Sequence, residues 1–136
     1  MSLEDIKETF SLFADWEDKY RYIIELGKDL PELSDRDKTD SNLIRGCQSQ
    51  VWLVCEISSE NHHQLQIDSD AHIVRGLIAI VLASLNNRAA SKILEFDVES
   101  LFEELELMEH LSPTRGNGLR SMVGKIKSVA EAAILS

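Results

Sequence analysis

The sequence predicts an α+β fold in which a short antiparallel sheet packs against several helices. Three observations point to it. Val51 to Ile57 and residues 63–67 alternate in strand fashion and are separated by a short polar turn. Residues 71–85 form one long apolar segment of helical length. Apolar residues recur at helical spacing both before the strands and after that segment.

Taken in order, helix one runs from Leu3 to Phe13. Ser2 and Asp5 stand at capping-box spacing, with Asp in place of the usual Glu, and Leu3, Ile6, Phe10 and Phe13 share a face. Asp15 caps a second helix with Trp16, Tyr20, Ile23 and Ile24 as its buried stripe, and Gly27 stops it. Residues 31–42, P-E-L-S-D-R-D-K-T-D-S-N, read as a surface loop leading to a short edge strand at Leu43 and Ile44. In the first long strand, Val51, Leu53, Cys55 and Ile57 alternate onto one face. Trp52 and Val54 make the other face apolar too, which predicts a central strand covered on both sides. Ser58 to His62 turns the chain, and 63–67 pairs back. Ala71 to Leu85 is apolar nearly all round and reads as the core helix. Asp97 caps another helix, with Val98, Leu101, Phe102, Leu105 and Met108 inward. Pro113, Gly116 and Gly118 mark a loop, and the last helix runs from Leu119 to Ile134.

The totals narrow the function. A chain of 136 residues, 43% of them hydrophobic, fits one domain spanning 1–136 with a real core. The net charge is −10, with no cluster of Lys and Arg, which argues against nucleic acid and anionic membranes as partners. No apolar run approaches the roughly 18 residues of a membrane span; the longest, Ile73 to Leu85, is broken by Arg75 and Ser84. The opening M-S-L-E-D-I-K-E lacks a secretory pattern, and two cysteines make no disulfide framework. The expectation is a cytoplasmic protein with free thiols.

The residues that carry chemistry are few. Cys47 lies in R-G-C-Q-S-Q-V-W, where Gly46 lets the backbone bend and the thiol sits at a loop-to-strand junction. A small buried hydrophobe, a metal ligand and a nucleophile all remain open for it. Cys55 reads as a core residue. His62-His63 is an adjacent pair whose side chains face opposite sides of a strand, and no C-x-x-C or H-x-x-x-H occurs, so no metal site emerges. Asp68-Ser69-Asp70 resembles the start of a calcium loop only faintly; capping of the core helix explains these acids better. His72 or His110 is a candidate base for Cys47, though nothing places either beside it. The stretch E-E-L-E-L-M-E at 103–109 reads as a solvated face with an apolar stripe, with docking as the minor alternative. No phosphate-binding loop or dinucleotide fingerprint occurs, so no cofactor is expected.

Three blocks, I-R-G-C-Q-S-Q-V-W at 44–52, D-S-D-A-H-I-V-R-G-L-I-A at 68–79 and H-L-S-P-T-R-G-N-G-L-R-S-M at 110–122, give the chain its resemblance to the SufE/CsdE family. These are the sulfur-acceptor proteins of iron–sulfur cluster biogenesis, and the likeness extends over almost the whole chain. The resemblance implies an α+β fold akin to the IscU-type scaffold and puts Cys47 at the position of the sulfur-accepting cysteine. It implies as partner a pyridoxal-phosphate cysteine desulfurase of the SufS/CsdA type, which Cys47 relieves of its persulfide sulfur and thereby stimulates. A cluster-assembly protein or another acceptor then receives the sulfur. The implied role is that of a sulfur carrier more than of an independent enzyme. Asp70 and Arg115 fall in matching blocks. Asp70 is expected to cap the core helix, and the 68–71 segment to tune the opening of the Cys47 loop. Arg115 is expected to face an anionic sulfur or a partner carboxylate, or else to make a loop salt bridge.

Two other classes compete. An iron–sulfur scaffold needs several ligands around one site, and Cys47 is the lone plausible one. A thiol redox protein usually wants a resolving cysteine, and Cys55 is expected to be buried.

Overall fold

The computed structural model describes residues 2–135. Helix α1 (Leu3–Leu12) opens on the expected capping box: Asp5 N–H donates to Ser2 Oγ at 3.2 Å and Ser2 N–H to the Asp5 carboxylate at 3.3 Å. Helix α2 (Trp16–Lys28) is capped by Asp15, whose Oδ1 accepts from Asp18 N–H at 3.0 Å. Gly27 does not stop it. The residue lies inside α2, where the helix backbone comes almost into contact with α3 (His72–Leu85). A Cβ on Gly27 would lie 2.7 Å from Gly76 N, and one on Gly76 would lie 2.0 Å from Ile23 O. Two side-chain-free positions thus set the α2–α3 separation.

The sheet has three antiparallel strands, β1 (Val51–Ile57), β2 (His62–Ser69) and the two-residue β3 (Arg88–Ala89), in the order β1-β2-β3. β1 pairs with β2 from Val51 opposite Ser69 to Ile57 opposite His63. The central strand is therefore β2, and the expectation of a central β1 is corrected. The chain returns from α3 to add β3 to the free side of β2, and the 43–44 segment contributes only one bridge, Leu43 to Trp52, to the outer side of β1. Cover accordingly fades along β1: Val51, Trp52 and Leu53 are buried, and Ile57 is 53% exposed. The hairpin turn uses Asn61 at φ 64°, a left-handed conformation that Asn tolerates, and Ser58 Oγ accepts from His62 N–H at 3.2 Å.

After β3 come α4 (Ala90–Glu95), which the sequence pattern did not suggest, α5 (Val98–Glu104), α6 (Leu107–His110) and α7 (Pro113–Leu135). The apolar stripe from Val98 to Met108 belongs to two helices, because Glu106 adopts φ 57° between them. The expected loop at 113–118 is instead the first turns of α7. Pro113 opens the helix, where its missing N–H costs nothing, and Ser112 Oγ accepts from Arg115 N–H at 3.3 Å. Helix α3 is the core helix as expected; Ile78, Val81 and Leu85 on it are completely buried.

A buried carboxylate fastens the 30–38 loop to this frame. Asp68, 1% exposed, receives Leu33 N–H at 3.0 Å, Ser69 N–H at 2.8 Å and the Arg75 guanidinium, while Lys38 Nζ lies 3.8 Å away. Arg75 also donates to Leu30 O. A buried charge is tolerable only when its lone pairs are met this fully.

Two glycine substitutions separate these roles. Gly76→Ala drives a methyl into the α2 backbone and is expected to lower unfolding stability by about 3 kcal/mol. Gly124→Ala on α7 meets nothing within 4 Å and is expected to raise stability by about 0.5–1 kcal/mol. Denaturant midpoints of the two variants check the pair.

Candidate functional site

Cys47 sits on a turn whose two ends are both tied down. On the approach, Ile44 N–H donates to Val51 O at 2.8 Å. On the exit, Gln50 N–H donates to Asp70 Oδ1 at 3.1 Å, and Asp70 N–H donates back to Gln50 O at 3.3 Å. Between them Gly46 adopts φ 92°, and a Cβ there would lie 2.5 Å from Ser121 Oγ on α7. Glycine is required twice, for the left-handed backbone and for the contact.

This geometry throws the thiol against α7. Cys47 is half-buried, and its Sγ donates to Gly118 O at 3.4 Å. Gly118 presents no side chain; a Cβ there would already be in contact with Sγ at 3.6 Å. Beside the sulfur opens a cavity of about 50 Å³, several times the roughly 10–15 Å³ that one water needs. Val51, Val74, Leu77, Leu119 and Met122 make its apolar wall, and Ser112, Thr114 and Arg115 its polar edge. Burial pushes the Cys47 thiol above its ordinary value of 9.0, because the apolar surroundings penalise thiolate.

Of the other sequence-derived candidates, Arg115 lines the cavity and Asp70 holds the exit of the turn, while the histidines and Cys55 do not line it. Arg115 lines the same cavity, and among the described residues its guanidinium has no acidic partner, so the loop salt bridge is not formed. Asp70 does not cap α3. The cap residue is Ala71 without a side-chain bond, and Asp70 is engaged with Gln50 instead. Asp68 does not cap either; it is the buried anchor described above. Neither His72 nor His110 lines the cavity: His72 stands at the start of α3, and His110 stacks on Trp16 at 4.4 Å. Cys55 is not a buried core residue. It is partly exposed near the fading end of β1, with Sγ 3.5 Å from Nδ1 of the buried His63. Its thiol too is raised, by burial and then by Glu56. Among the described residues the one grouping of three potential metal ligands is Glu106, Glu109 and His110, all exposed, and it does not include Cys47.

Ser121, Ser112 and Leu77 were not singled out as site residues from the sequence, and Gly118 was marked only as part of a loop. Only Ser112 carried a legible signal, an N-cap type three positions before Arg115.

Comparison with known proteins decides the family. The family model for SufE, described as an Fe-S metabolism associated domain, matches residues 4–130. The chain belongs to the SufE family. It is 48% identical over 136 residues to an uncharacterized SufE-like protein of Rhizobium meliloti, covering 98% of this chain and 97% of that one. It is 49% identical over 133 residues to another from Rhizobium etli, covering 96% and 90%. The solution structure of a hypothetical protein from Thermus thermophilus superposes with a TM-score of 0.77 over 100% of both chains at 16% identity, which supports the fold. SufE membership associates the chain with iron–sulfur metabolism. No helix among the described residues is long and apolar enough to cross a membrane.

The raised thiol generates a prediction for this SufE chain. Alkylation of Cys47 by iodoacetamide in the isolated protein should be slow at neutral pH. Its rate should climb with a midpoint above the ordinary 9.0, since thiolate appears only as pH rises past the folded-state value. Mass spectrometry of the Cys47 peptide across pH reads the profile; a midpoint near 7 contradicts the burial argument.

Proposed function

We propose that this protein accepts sulfur from a pyridoxal-phosphate cysteine desulfurase as a persulfide on Cys47 and hands it on for iron–sulfur cluster assembly or another sulfur pathway. The observation that carries the reading is the cavity beside Sγ: room for one more heavy atom, an apolar wall, and Arg115 at the edge. An added sulfur fits the space, is kept from bulk water and oxidants, and meets a positive charge if it ionises.

The chemistry needs no resident metal. The Cys47 thiolate attacks the outer sulfur of the donor's persulfide and forms a new S–S bond. The bond between that sulfur and the donor's cysteine breaks, and its electron pair leaves as the donor's thiolate. The outer sulfur keeps its oxidation level, and the proton lost by Cys47 matches the one the departing thiolate takes up. Removing the sulfur frees the donor's cysteine for another round, which is how the acceptor stimulates its desulfurase.

What the free protein lacks defines what the donor supplies. Cys47 has no base in its cavity, its thiol is raised by burial, and its proton is held by Gly118 O. The donor's site must draw the sulfur outward and deprotonate it. Asp70 regulates that step in this reading, because its two backbone-level bonds with Gln50 fix the exit of the turn. Arg115 stabilises the loaded sulfur.

The scaffold class is disfavoured by the ligand set around Cys47. A Cys47–Cys55 redox pair is disfavoured by distance. Cys55 lies four strand positions on from Val51, roughly 13 Å at strand rise, and the Cys47 turn lies beyond Val51; a disulfide needs Cα atoms within about 7 Å.

Incubation with a cysteine desulfurase and free cysteine, followed by mass spectrometry, tests the reading. The native chain should gain one sulfur on the Cys47 peptide, Cys47→Ser none, and Cys55→Ser as much as the native chain. Equal persulfide on Cys47→Ser overturns the proposal. Asp70→Ala should change desulfurase stimulation severalfold while stability falls by only about 1 kcal/mol, the loss of one exposed bond to a carboxylate; unchanged stimulation removes Asp70 from the mechanism.

A further inference from the structure

The chain holds 14 Lys and Arg against 24 Asp and Glu. In so acidic a protein a cation without a partner is unusual, and most here are used. Lys7, Arg21, Lys28, Lys38, Arg75, Lys92 and Arg120 pair with carboxylates. Lys19 and Arg88 lie over the rings of Phe10 and Phe96. Lys127 caps α4 through the carbonyls of Ile93, Leu94 and Phe96. Among the described residues four remain free: Arg36, Arg45, Arg115 and Lys125. Three of the four border one turn of the chain, the one carrying Cys47.

Arg115 edges the sulfur cavity on one side of that turn. On the other side Arg45 and Lys125 line a separate open groove between the 40–45 segment and α7, with the hydroxyls of Ser41, Ser121 and Ser128 and, among the described residues, Asp40 as its only carboxylate. Ser121 is the residue against which Gly46 packs, so the chain passes from Arg45 in the groove through Gly46 to Cys47 in the cavity. Arg45 and Lys125 are exposed. They sit where the repulsion of an acidic surface has to be overcome if an acidic protein is to approach Cys47.

We infer that the Arg45–Lys125 groove is a docking site for a carboxylate-bearing segment of the sulfur-donating enzyme. Nucleic acid fits poorly as its occupant, because a surface of net charge −10 repels a polyanion beyond two local cations. A short acidic segment fits: its carboxylates meet the two cations, the serine hydroxyls donate to it, and it lies beside the turn that must present its sulfur. The inference rests on the carrier reading and adds to it where the donor holds on. Such contacts at an interface rim act on encounter rate and salt dependence more than on the chemical step.

The test pairs two sulfur sources, a cysteine desulfurase with free cysteine and inorganic polysulfide, and compares the native chain with Arg45→Glu/Lys125→Glu. With polysulfide both chains should load Cys47 equally, which shows that the variant is folded and its thiol competent. With the desulfurase the variant should need about tenfold more acceptor for half-maximal transfer, at unchanged maximal rate, and should lose most of the native salt dependence. Lys28→Glu, a charge reversal on α2 at a residue that lines neither the cavity nor the groove, should behave as native. Half-saturation and salt dependence unchanged in the double variant, or matched by Lys28→Glu, overturn the groove while leaving the carrier reading intact. Failure of the native chain to accept desulfurase sulfur at all overturns the carrier reading and the groove's occupant with it.

Discussion

The nearness of α3 to α2 is the constraint on which the rest of the molecule depends. Gly76 faces the Ile23 carbonyl with no side chain between, and Gly27 repeats the arrangement one turn away. This lets two helices meet backbone to backbone. It seats α3 deep enough for Ile78, Val81 and Leu85 to be sealed from water. It also holds Arg75 over the Asp68 carboxylate, which fastens the 30–38 loop. From Asp68 the chain has two residues to reach Asp70, whose bonds to Gln50 fix the exit of the cysteine turn. The same helix supplies Val74 and Leu77 to the cavity wall. Core and site are therefore not separate achievements: the helix that fills one shapes the other.

The site balances access against protection. A fully exposed low-pKa thiol would react with any electrophile, and a fully buried one with none. Cys47 is half-buried with its proton tied to a helix carbonyl, and its cavity has room for a further heavy atom but, among the described residues, no base. Such a division suits a carrier whose reactivity is completed by the protein it meets.

Much of the fold was legible in the sequence, and the failures have physical causes. Local chemistry read correctly where it acts locally: the Ser2–Asp5 box, the Asp15 and Asp97 caps, the apolar run of α3. It failed where the partner is distant in sequence. Gly27 looks like a helix stop until Gly76 is known to lie across from it. Pro113, Gly116 and Gly118 look like a loop until the glycines are seen as clearance for Met108 and Cys47. Asp70 looks like a cap because Gln50 is twenty residues back. The order of strands depended on β3, two residues with no pattern of their own. At the site, Cys47 was found from its own setting beside Gly46 at a loop-to-strand junction, and Asp70 and Arg115 through the family blocks they occupy. Ser121 and Gly118 were not, since a backbone carbonyl or a small side chain on a distant helix leaves no mark at the cysteine.

The bond from Cys47 Sγ to Gly118 O has a consequence for the cycle proposed above. It exists only while Sγ carries hydrogen. Once Sγ is joined to a second sulfur it has no proton to give, and the fastening to α7 is lost by valence alone. In that proposal, empty and charged carriers then differ in how firmly the turn is held against α7.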